Sequence, residues 1–71
     1  MDHYQLAQRI RAFRKLKGYT QTELAEEIGV SIAIIGAIER GTRKADPRLI
    51  RRIAEALGVE EEEMTSAPER R

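Results

Sequence analysis

The side chains able to do chemistry in this chain are mostly cations, hydroxyls and carboxylates, and their arrangement suits gripping a polyanion better than catalysis. There is no Cys, and His3 is the single histidine. Neither a thiolate nucleophile nor a His/Cys metal cage can be assembled from that set. The acidic run Glu60–Glu63 is the densest group of carboxylates. Consecutive helical positions point in different directions, so the four do not converge on one ion. A solvated helix start explains them better. No His, Asp or Glu set has catalytic spacing, so the chain is expected not to be an enzyme and to need no metal or cofactor. Net charge is only +1, yet it is strongly segregated. Residues 1–20 carry Arg9, Arg11, Arg14, Lys15 and Lys17 against Asp2, a net +4. Residues 21–39 hold four glutamates and no cation, a net −4. Residues 40–52 carry Arg40, Arg43, Lys44, Arg48, Arg51 and Arg52 against Asp46, a net +5, and residues 53–71 return to −4. Segregation of this kind can make a basic face on a nearly neutral molecule, the electrostatic footprint of a nucleic-acid binder. The plainer alternative is a set of solvated helix faces.

The elements that would position these charges are legible in residues 21–40, QTELAEEIGVSIAIIGAIER. Leu24, Ala25 and Ile28 recur at helical spacing and form one apolar stripe. Gly29 follows, where helices commonly end in a left-handed conformation. Val30 would plug the corner. Ser31 can cap a second helix by accepting from a free backbone N–H. Ile35 and Ile38 then resume the stripe, and the small Ala25 lets the two helices cross closely. A helix, a tight glycine turn and a second helix place one helix in the major groove of DNA when the unit is used for binding. An ordinary helical hairpin has the same spacing.

Five helices and no strand are predicted in all. The first runs from about Asp2 to Lys17, with Leu6, Ile10 and Phe13 on its buried side. Asp2 suits the positive end of its dipole, and Arg14, Lys15 and Lys17 suit the negative end. Gly18 ends it. Thr20 caps the second helix, with Glu23 completing a capping box. Gly41 ends the third. Thr42 to Asp46 reads as a polar basic loop, after which Asp46 caps a fourth helix and Pro47 opens it. Leu49, Ile50, Ile53, Ala54 and Leu57 form its apolar face, and Gly58 stops it. A short fifth helix is predicted over Glu60 to Met64. Residues 66–71 read as a disordered tail. With 71 residues the chain is one small domain, here 1–65, below the length at which a core is comfortable. No apolar run reaches the roughly 20 residues a membrane span needs, and no secretory signal is visible. The expectation is a cytoplasmic protein without a membrane partner and without an evident small-molecule effector site.

The phrases IRAFRKLKGYTQTELAEEIGVS, IERG and IAEALGV resemble the helix-turn-helix domains of the lambda-repressor/Cro type, the XRE family, from about Leu6 to Glu63. The resemblance implies an all-α, compact five-helix lambda-repressor-like fold, with the motif at 21–40 and the recognition helix at about 31–40. It implies a transcriptional regulator, of repressor type in the first instance, that binds double-stranded DNA, commonly as a homodimer on two half-sites. Residue by residue, Gln21 stands where the family's glutamine bonds a phosphate and braces the recognition helix, with N–H groups near Thr20 and Gln21 adding to the anion site. Arg14 and Glu39 stand where relatives bridge the first and third helices with an ion pair. Arg40, Arg43 and Lys44 lie where the family meets the DNA backbone or minor groove. Ser31, Ile32, Ala33 and Ala37 occupy the base-reading positions.

Those last four depart from the pattern, since many relatives carry Gln, Arg, Asn or Ser there. Apart from Ser31, none can make the bidentate bonds that distinguish guanine or adenine. Gly36 on the same helix costs about 1 kcal/mol relative to Ala. One reading is a DNA binder that senses thymine methyls and duplex shape. The other is a protein-interaction module, in which Ile32 with Ile34 or Ile35 forms an apolar patch for a protein partner. Near the C-terminal end, Leu57, Val59 and Met64 form either a dimer patch or a cover for the small core.

Overall fold

Each helix of this chain contributes at least one apolar side chain to a common centre. The computed structural model describes residues 3–65 and contains, in order, α1 (His3–Leu16), α2 (Gln21–Ile28), α3 (Ile32–Arg40), α4 (Pro47–Leu57) and α5 (Glu61–Thr65). No strand occurs among the described residues. Ile10 of α1, Leu24 of α2, Ile35 of α3, Ile53 of α4 and Met64 of α5 are fully buried. They meet in one core that also holds Leu6, Ala25, Ile28, Ile38, Ala54 and Leu57. Truncating any one of the five large central side chains to Ala would leave a cavity costing about 2–5 kcal/mol.

The helix boundaries follow from the caps. Thr20 Oγ1 accepts from the Glu23 N–H at 3.0 Å, and the Thr20 N–H donates to Glu23 Oε1 at 2.9 Å, so the capping box is complete. Ser31 Oγ accepts from the Ile34 N–H at 3.3 Å. Asp46 Oδ1 accepts from the Leu49 N–H at 2.8 Å, with Pro47 in the first turn. Gly29 and Gly41, at either end of the α3 segment, have φ of 77° and 78°. A side chain at either would be strained, so glycine sets both corners.

Several residues sit differently from the sequence expectation. The first helix ends at Leu16, one residue early, and α5 is shifted one residue toward the C-terminus. Asp2 and the expected 66–71 tail lie outside the described residues. Phe13 is half-buried, and Ala7, of which nothing was expected, is fully buried on α1. Ala45, inside the supposed polar loop, is 4% exposed and belongs to the core. It anchors the α3–α4 connection, so the cations before it are held close to the body. Leu57 and Met64 are buried as well and Val59 is half-buried against the core, so all three serve to cover it. No helix among the described residues is long and apolar enough to cross a membrane.

Candidate nucleic-acid interface

The orientation of α3 is fixed by one carboxylate. Glu39 lies on the α3 flank that faces α1 and α2, and its two oxygens accept three hydrogen bonds. Arg14 Nε donates to Oε2 at 2.6 Å, and Arg14 Nη2 donates to Oε1 at 3.0 Å. Gln21 Nε2 donates to the same Oε1 at 3.0 Å. Arg14 Nη1 donates to the Tyr19 carbonyl at 2.8 Å, which ties the α1–α2 connection into the network. The Arg14 and Glu39 side chains are 9% and 3% exposed. Two parallel N–H···O bonds to a buried carboxylate are a strong, directional arrangement. Desolvation offsets much of the attraction, so orientation is the main product of the pair. The structure therefore brings together three residues the sequence had placed on separate helices.

The outward side of α3 carries mostly small side chains. At 100° per residue, Ile32, Ala33, Gly36, Ala37 and Arg40 fall within one arc, while Ile34, Ile35 and Ile38 turn inward. Ser31 and Ala33 are exposed, and Ile32 is 48% exposed. Ile35 is fully buried and Ile34 packs against the core. The apolar patch anticipated from Ile32 with Ile34 or Ile35 is therefore reduced, since Ile35 is lost to the core and Ile34 is half-buried. Ala37 is half-buried, and its carbonyl accepts from both the Thr42 N–H at 3.0 Å and Thr42 Oγ1 at 3.1 Å. Those two bonds close the C-terminal end of α3.

The donors around this face are only partly as expected. The Thr20 N–H is taken by Glu23, so it cannot serve an anion. The N–H groups of Gln21 and Thr22 remain, since first-turn amides have no intrahelical acceptor. Gln21 has one amide N–H on Glu39 and a second one left over. Arg40, Arg43 and Lys44 are exposed, and none makes a hydrogen bond or ion pair within the described residues. The rest of the basic block is dispersed. Arg51 pairs with Glu61 of α5 at 3.1 Å, and Arg52 lies near the Gly29 corner. In α1, Arg9 donates to the Glu63 carbonyl and so holds α5. Charge counted along the chain missed this division, because helix packing and not sequence neighbourhood decides which cations stay free. Among the described residues no group of His, Cys, Asp and Glu could hold a metal ion.

Comparison with known proteins agrees with this architecture. A family model described as helix-turn-helix matches residues 10–64. The chain is 48% identical over 56 residues to an uncharacterized HTH-type transcriptional regulator, YazB of Bacillus subtilis, covering 79% of this chain and 81% of that one. Among solved structures it is similar to the restriction-modification controller protein C.AhdI from Aeromonas hydrophila, with a TM-score of 0.84 and 34% identity over 87% of this chain and 94% of that one. It is similar also to a hypothetical transcription factor, NHTF, from Neisseria, with a TM-score of 0.87 and 33% identity over 93% and 76% of the two chains.

Proposed function

Because the chain belongs to the helix-turn-helix (HTH_3) family and is a DNA-binding transcriptional regulator, we propose that the outward arc of α3 enters the major groove of double-stranded DNA. The observation that carries the reading is the combination of a braced α3 with an outward face that is exposed at Ser31, Ile32, Ala33 and Arg40. Ile32 and Ala33 meet thymine methyls, Ser31 offers its hydroxyl proton at the first turn, and Ala37 lets the helix backbone come close to the bases. Arg40, Arg43 and Lys44, together with the free amide N–H of Gln21 and the first-turn N–H groups after Thr20, hold phosphates. Such contacts set register and carry the salt dependence of binding. Sequence preference then comes from methyl contact and from duplex shape. Residues up to 65 form the binding unit. Its activity is binding and not catalysis. The protein-interaction reading is not favoured, because Ile35 is buried in the core and Ile34 is half-buried against it, which shrinks the apolar surface a partner would need.

The test is a salt titration against a random-sequence duplex pool, with sequencing of the retained fraction. The expected outcome is a steep salt slope and an enriched motif rich in A·T pairs at the α3 positions. Ala33→Glu puts a carboxylate at the groove floor and is expected to abolish binding while circular dichroism shows the fold retained. Full affinity in a folded Ala33→Glu protein overturns the placement of α3 in the groove.

A further inference from the structure

Gly36 is buried although it lies on the outward arc of α3. Its backbone is helical and does not have the positive φ of the corner glycines, so no conformational need explains it. Space does. A Cβ built on Gly36 would stand 3.2 Å from Arg40 Nη1 and 3.9 Å from Gln21 Oε1. Arg40 follows Gly36 by four residues, the spacing at which side chains stack on a helix. Its guanidinium folds back along α3 into the room a methyl group would occupy. Gln21, reaching across from the start of α2, comes within 3.9 Å of the same point through Oε1. Glu39 is ion-paired with Arg14, and no ion pair joins it to Arg40 among the described residues.

We propose that Gly36 is a positioning residue for Arg40. The missing β-carbon lets the guanidinium lie beside the Gln21 amide, so that the two present one phosphate clamp at the junction of α2 and α3. The inference rests on the DNA-binding reading above. With a methyl at position 36 the guanidinium must leave its place over Gly36 by a few tenths of an ångström. The clamp then loosens although no charge has been removed. The glycine weakens the helix, so its replacement by Ala should separate binding from stability.

The experiment is a double-mutant cycle in the full chain with Gly36→Ala, Arg40→Ala and both together, titrated with random-sequence duplex across about 50–200 mM salt. Arg40→Ala should lower the salt slope by about 0.9 and the affinity several-fold to about tenfold. Gly36→Ala should cause part of that loss in the wild-type background and none in the Arg40→Ala background. Its Tm should meanwhile rise by about 5 °C. Equal losses in both backgrounds, unchanged binding, or a lower Tm would each overturn the proposal. A wild-type chain with no salt-dependent duplex binding removes the DNA reading itself and the clamp with it, a failure visible before any variant is compared.

Discussion

At the scale of single residues, the Arg14–Glu39 pair is where removing one group should matter most. Both side chains are at least nine-tenths buried. Arg14→Ala leaves a buried carboxylate with only Gln21 as a donor, and breaking a buried pair in this way costs about 3–5 kcal/mol. For a domain of this size the loss lowers Tm by more than roughly 10 °C, which thermal denaturation would read directly; an unchanged Tm would contradict the bracing role. The pair was legible from the resemblance, because an arginine and a glutamate stood at matching positions. The third member of the network was only half legible. Bracing by Gln21 was expected, but its donation to the same oxygen as Arg14 was not, since spacing does not say which of two amide N–H groups points inward. Gly36 was read as a cost to the helix. Its relation to Arg40 required knowing where a guanidinium folds.

At the scale of elements, caps and stops were the most legible features, since each depends on a residue type at a fixed offset from a helix end. Thr20, Ser31 and Asp46 cap as their types predict. Thr20→Ala removes the capping-box acceptor of α2 and should cost about 1 kcal/mol, lowering Tm by roughly 5 °C. Thr20→Ser should keep nearly all of the stability, and a Ser variant as unstable as the Ala variant would show that the hydroxyl is not the relevant group. The α3–α4 connection was legible only in part. Its polar composition suggested a solvated loop, but burial of Ala45 pins it. One small apolar residue among cations gives no periodic signal, so only packing reveals the anchor.

At the scale of the whole molecule, the described residues extend 37 × 23 × 20 Å, with a longest dimension comparable to the roughly 34 Å of one duplex turn. Two copies would place their α3 helices about 34 Å apart on a two-fold site. The large exposed apolar side chains among the described residues are Leu16 of α1 and Ile32 of α3. Sedimentation of the free chain at tens of micromolar is expected to give the 8.1 kDa monomer, with pairing only on DNA that carries two properly spaced half-sites. A stable dimer without DNA would show that polar surface drives the association. The all-helical class was readable at this scale because apolar period, cap and stop agreed along most of the chain. The division of cations into structural and free was not, because it is a property of packing.

The bracing of α3 from behind has a consequence for how such a chain can change over generations. Ser31 caps the helix, Glu39 locks it, and Ile35 and Ile38 seat it, while Ile32 and Ala33 serve none of these ends. Two codons can therefore be rewritten without passing through an ancestor too unstable to survive. With α3 in the groove as proposed, duplicated copies could part company in the duplex sequences they prefer while keeping one inherited scaffold.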